Sequence, residues 1–171
     1  MKAEARPRSK PARAEAPRTC LWLRNEAGRK GVPVLRSFER WLAAIPDLRK
    51  RRGWSEVNVL VVGTTAGRRY NREFRGRDYA TNVLSFPYEP MPGEHSGLLG
   101  DLVICAPVVA REAREQGKHA RDHFAHMTIH GVLHLLGYDH EETGEAERME
   151  ALETRILAGL GIADPYRDDA A

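Results

Sequence analysis

The chain has 171 residues and a mass of 19.2 kDa, with 42% hydrophobic and 30% charged side chains. That length buries about 70% of the surface an unfolded chain exposes, and the composition excludes collagen-like, wholly disordered and disulfide-dependent classes. The net charge of +3 conceals a separation: residues 1–18 hold six basic and two acidic side chains, 19–80 fourteen and six, and 81–171 seven and sixteen. A cationic N-terminal half suits a polyanion, while carboxylates gather towards the C-terminus. No uncharged apolar stretch approaches the ~18–20 residues of a membrane span, so no transmembrane helix is expected.

In chain order, residues 1–18 carry Pro7, Pro11 and Pro17 and no apolar run. They read as a disordered basic arm that adds salt-sensitive affinity for RNA, rather than a secretory signal. A first strand is expected at 19–23. Apolar residues at 34, 35, 38, 41, 42 and 45 have the spacing of an amphipathic helix stopped by Pro46. A basic loop leads to a buried strand at 56–63. Thr64 is placed to cap a helix over 65–74 that displays Arg68, Arg69, Arg72 and Arg75. Strands follow at 82–86 and 98–105, separated by a Pro/Gly/Glu loop, and Pro107 suits the first turn of a helix to residue 116. Cys20 and Cys105 lie inside apolar runs without CxxC spacing and read as reduced, buried thiols of a cytoplasmic protein. Trp22, Trp41 and Trp54 are expected in the core. Strands interspersed with helices fit one layered domain of α and β elements.

The informative stretch is HARDHFAHMTIHGVLHLLGYDH, residues 119–140. At 100° per residue, His119, His123, His126, His130 and His134 fall within roughly 80° of arc on one helix. The other faces are apolar, so the helix should be buried and its histidines must find partners inside. His130 and His134, at i and i+4, can reach one metal ion. Gly137 supplies the left-handed residue that ends the helix, and the returning chain delivers His140. Three imidazoles leave one position of a tetrahedral zinc site open for water, an arrangement of catalytic rather than structural sites. Bound zinc lowers that water's pKa to about 7. Nickel or iron would suit the same donors. The pattern matches the zinc-protease signature HExxHxxGxxH except that Gly131 stands where the general-base glutamate would be. Gly131 fits either a close approach to the helix backbone or tight helix packing.

Four segments, NREFRGRD (71–78), TNVLSFP (81–87), LGDLVIC (99–105) and HMTIHGVLHLLGYDH (126–140), together with MEALETRIL (149–157), resemble the YbeY endoribonucleases, bacterial rRNA maturation factors. The resemblance implies an α+β, zincin-like single domain over 19–162, with a mixed four-stranded sheet, about five helices and a flexible tail at 163–171. It implies Zn2+ or another divalent metal held by His130, His134 and His140, and cleavage of single-stranded RNA in 16S rRNA 3′-end maturation and ribosome quality control. The implied partners are the 16S rRNA precursor and the small ribosomal subunit with its proteins, in the cytoplasm, with no membrane and no nucleotide cofactor. Ala80 departs from the family, which usually has Pro there, and the N-terminal arm is extra.

From the residues themselves, RNA cleavage needs positive charge on the phosphate, and Arg75, on which the family's important arginine falls, is expected to grip it bidentately. His126, one turn before His130, is a candidate general base or a residue supporting the ligands. Asp139 and Glu141 flank His140 and can orient its ring. The acidic stretch 141–157 reads as a covering helix with its acids in solvent. Two other functions remain open: a ribosome-assembly binding factor with a structural metal and little cleavage of its own, and, more weakly, a peptidase-like zinc hydrolase.

Overall fold

Valine-rich runs at 56–62 and 98–105 supply the centre of a sheet, because β-branched residues pack well on a pleated surface buried on both faces. The computed structural model describes residues 18–51, 53–139 and 143–167. The elements are β1 (Arg18–Asn25), α1 (Leu35–Ala44), α2 (Pro46–Lys50), β2 (Trp54–Val62), α3 (Thr64–Arg75), β3 (Val83–Pro87), β4 (Leu98–Cys105), α4 (Ala106–Glu115), α5 (Ala120–Leu135) and α6 (Thr143–Gly159). The sheet order is β1-β2-β4-β3. β1, β2 and β4 run parallel, and β3 is the antiparallel edge strand.

The main core lies on the face where Val57, Val59 and Val61 of β2 and Leu102 and Ile104 of β4 meet α1 and α5. Phe38 packs edge-on against Trp41 at 4.9 Å and against Phe124 at 6.4 Å. A smaller cluster of Val62, Leu84, Val103, Cys105 and Val108 fills the opposite face, beneath Tyr70 of α3. α5 is apolar nearly all round and is correspondingly enclosed, by β3, β4, α1, α4 and α6. This enclosure positions the histidines: a stripe that would face solvent on a peripheral helix here lies between α4, α6 and the β3 edge.

The expected α+β domain with a mixed four-stranded sheet is what forms, with particular differences. Six helices are described rather than about five, because Pro46 both ends α1 and opens the short α2: proline's fixed φ and missing N–H suit a first helical turn. Thr64 does not cap α3; it is the helix's own first residue, behind Gly63, and no side-chain cap bond forms. Cys20 is exposed while Cys105 is buried, since β1 is an edge strand with solvent on much of its surface. Burial pushes the Cys105 thiol above its ordinary pKa. Trp41 is in the core as expected, but Trp22 and Trp54 are 67% and 48% exposed. Among the described residues, no helix is long and apolar enough to cross a membrane.

Candidate functional site

The helix–turn sequence LHLLGYD builds the first part of the site. α5 closes at Gly137, whose φ of 95° is open to glycine at no steric cost. The turn is held by Gly137 N–H donating to the His134 carbonyl (3.0 Å) and Tyr138 N–H to the Leu133 carbonyl (3.0 Å). It places the Tyr138 carbonyl 2.8 Å from His134 Nδ1. A carbonyl accepts only, so His134 carries its proton on Nδ1. His130 Nδ1 lies 2.7 Å from Glu153 Oε1 and, against a carboxylate, is likewise the protonated nitrogen.

With Nδ1 the protonated nitrogen of each ring, the two Nε2 atoms present their lone pairs and face one another at 3.2 Å. Two lone pairs so placed call for a cation between them. Two imidazole nitrogens at the ~2.0–2.1 Å of zinc coordination and a tetrahedral angle are about 3.3 Å apart, so the pair fits a shared metal ion. The donor set suits zinc, nickel or iron alike. His140 lies outside the described residues, as does Glu141. Asp139 is exposed at the rim of the same cleft.

A second donor group overlaps this one: the side-chain atoms of His126, His130 and Glu153 lie within 4.8 Å of one another and can hold a metal. Glu153, on α6, is fully buried, contrary to the expectation of a helix with its acids in solvent. It was legible in phase if not in type: with Met149, Ile156 and Leu157, all buried, it forms an i, i+4, i+7, i+8 stripe, and an acid at the centre of an apolar stripe signals a partner inside. Burial alone would raise its carboxyl pKa, but hydrogen bonds from His126, His130 and Tyr166 hold it down at about 2. Burial pushes His126 below the usual imidazole range, against the opposite pull of Glu153. His126 Nε2 lies 3.0 Å from Glu153 Oε2 and, against a carboxylate, is the nitrogen that donates.

Arg75, at the end of α3, lines the same cleft as the histidine pair. Gly76, at φ 67°, terminates the helix with its N–H donating to the Arg72 carbonyl at 3.1 Å. Asn71, buried, donates from Nδ2 to the Tyr79 carbonyl at 2.7 Å and folds the following loop back. Arg68 grips Asp78 with two bonds, of 2.9 and 2.6 Å, and Arg77 donates to the Tyr79 hydroxyl at 3.1 Å. Arg75 is exposed and, among the described residues, forms no ion pair. The result is a cleft of about 650 Å³ lined by Arg75, Arg77, Tyr79, Ser85, His130 and His134.

The structure thus brings together Arg75, His130 and His134. It does not bring His126 to this cleft: His126 and His123, nearer the start of α5 on the same stripe, line a separate cavity beside Tyr166, and His119 sits exposed at the start of the helix. His123 is instead held by Glu112, at 2.8 Å. Hydrogen bonds from His123 and Asn82 outweigh partial burial and keep the Glu112 carboxyl below its ordinary pKa. Residues 163–167 run back over α6 and deliver Tyr166 to Glu153 and His126.

Gly131 is explained by packing. A Cβ there would lie 2.8 Å from Leu102 Cδ2 and 3.2 Å from Ser85 Oγ, so a glutamate has no room where a zinc protease places its base. Gly131→Ala is expected to destabilise the protein by about 1–3 kcal/mol, the cost of overpacking a close helix–sheet contact. Chemical denaturation measures this; an unchanged or increased midpoint would show that Leu102 yields freely.

The fold and site first define a class: a single α+β domain with a half-buried histidine pair, one ring of which is backed by a buried carboxylate, opening onto an arginine-lined cleft. Residues 25–161 match the family model of the endoribonuclease YbeY. Relatives named endoribonuclease YbeY include those of Alkalilimnicola ehrlichii, 61% identical over 145 residues (84% of this chain and 87% of that one), and Stenotrophomonas maltophilia, 58% identical over 142 residues (81% and 87%). Another, from Halorhodospira halophila, is 55% identical over 140 residues (80% and 90%). The solution structure of TM1509 from Thermotoga maritima matches with a TM-score of 0.53 at 25% identity, covering 87% of this chain and 99% of that one. The chain belongs to the endoribonuclease YbeY family.

Proposed function

We propose that the protein is a single-strand-specific, metal-dependent endoribonuclease that acts in 16S rRNA 3′-end maturation and ribosome quality control, in the cytoplasm and in contact with the small ribosomal subunit. The observation that carries the reading is the shared cleft: Arg75 and Arg77 line the same space as His130 and His134. His130 and His134, joined by His140, would hold the metal. When bound, a divalent metal supplies Lewis acidity towards a phosphoryl oxygen and lowers the pKa of water.

The chain's own residues do the rest. Arg75 offers a planar fork of donors to the scissile phosphate and balances the negative charge that builds on its oxygens in the transition state. Arg77 holds Tyr79 at the mouth and adds a second positive charge for the neighbouring phosphate. Exposed Tyr79 gives a splayed base a ring to stack on, a mode open to an unpaired strand and closed to a duplex. His126 supports the histidine pair through Glu153 and takes no proton from substrate, since it lines a separate cavity and not the cleft.

The test is cleavage of an end-labelled single-stranded RNA beside its own duplex. Cleavage confined to the single strand, abolished by a chelator and restored by metal, is expected. No cleavage by metal-loaded protein would move the function to RNA or ribosome binding.

A further inference from the structure

Glu153 is a carboxylate with no exposure to solvent, and a buried charge persists only when its lone pairs are taken up by donors. Three side chains do this, two from α5 and one from the C-terminal segment. His130 Nδ1 donates to Oε1 at 2.7 Å, His126 Nε2 to Oε2 at 3.0 Å, and the Tyr166 hydroxyl also to Oε2. Tyr166 is itself fixed: its N–H donates to Asp164 Oδ1 at 3.0 Å, and Lys118 Nζ donates to the Pro165 carbonyl at 2.7 Å. The carboxylate therefore has both oxygens committed before any metal arrives.

We infer that Glu153 is the positioning residue of the histidine centre: it locks His130 in the Nδ1–H tautomer that turns an unprotonated Nε2 towards His134, while His126 and Tyr166 lock Glu153. It acts through His130 and is not itself a metal ligand. The two ring nitrogens of an imidazole point away from different sides of the ring, so a cation on His130 Nε2 lies beyond the reach of a carboxylate bonded to Nδ1. Such outer carboxylates fix ring orientation and raise ligand basicity, and their loss weakens metal affinity by about 10–100-fold. His134 has only a backbone carbonyl in the same role, so the charge-assisted bond at His130 is the stronger of the two supports.

This rests on the reading of His130 and His134 as the metal pair, and its test begins on the metal-free protein, where no cleavage enters. Long-range 1H–15N correlation spectra of the full chain at pH 8, assigned with His130→Gln, should show His130 as the Nδ1–H tautomer. The Nε2–H tautomer in wild type would overturn the inference, and needs no variant that folds poorly. Glu153→Gln should then release His130 into a mixture of tautomers and raise the zinc dissociation constant, measured by chelator competition, about 10–100-fold. Tyr166→Phe, with the ring kept, should raise it only a few-fold.

Cobalt(II) substituted for zinc should give visible bands of the same position in wild type and Glu153→Gln. Bands displaced by the substitution would make Glu153 a ligand and overturn the proposal, as would unchanged affinity and tautomer. Failure of wild type to cleave RNA would instead count against the nuclease and leave the role of Glu153 standing.

Discussion

Replacing His134 with alanine is expected to leave a folded protein that holds almost no metal and cleaves single-stranded RNA at least about 10³-fold more slowly than wild type. The side chain is half-buried and its Nδ1 bonds a turn carbonyl, which water can reach once the ring is gone, so the fold loses little. What disappears is one of two Nε2 donors 3.2 Å apart, and with it the chelate geometry that would hold a cation. His130→Ala should remove metal and cleavage equally but cost more stability, about 1–3 kcal/mol further, because buried Glu153 then loses one of its three donors. Metal content by mass spectrometry, cleavage and thermal unfolding of both variants check this. Equal residual cleavage in wild type and both variants would identify a contaminating nuclease.

Arg75→Glu gives the complementary result: full metal content and a cleavage rate lowered by about 10²–10³-fold, the usual loss when a preorganised charge aimed at the transition state is removed. Arg75 ends α3, where a basic side chain favours the helix dipole, so the substitution costs at most about 1 kcal/mol of stability. Arg75→Lys should recover part of the rate, since an ammonium keeps the charge but not the paired donors. RNA binding by Arg75→Glu should also fall less steeply with salt, by about 0.7 in the logarithmic slope for one phosphate contact to a single strand. Unchanged cleavage by Arg75→Glu would remove Arg75 from the site and leave the arginine-lined cleft a binding surface.

The two residues of the first prediction and the one of the second differ in how they could be found. His130 and His134 were legible because their relation is local: i and i+4 on a helix is a fixed geometry, and Gly137 marks where the helix stops. Arg75 stood among several arginines on one helix, and its selection came from family resemblance. The structure adds the physical distinction, since Arg68 is spent on Asp78 while Arg75 lines the cleft. Glu153 was missed because a stripe position records burial and not partner. An acid among Met149, Ile156 and Leu157 is anomalous in sequence, but the imidazoles that make it tolerable are 23 and 27 residues away. The same limit applies to Trp22 and Cys20: their apolar surroundings predict a strand, and only the position of β1 at the sheet edge decides that they face water.

By itself the sequence determined what short-range rules govern: the period of each element, the proline and glycine stops, a histidine pair at chelating distance, and a cationic half suited to a polyanion. Tertiary structure decided what depends on which surfaces meet. It enclosed α5 so that one histidine stripe serves two places along its length, a cleft with Arg75 and a buried carboxylate from α6, with His130 common to both, and it closed Leu102 and Ser85 over Gly131. The reason is that helix and strand signals come from neighbours a few residues apart, whereas a hydrogen bond across the core has no periodicity to betray it.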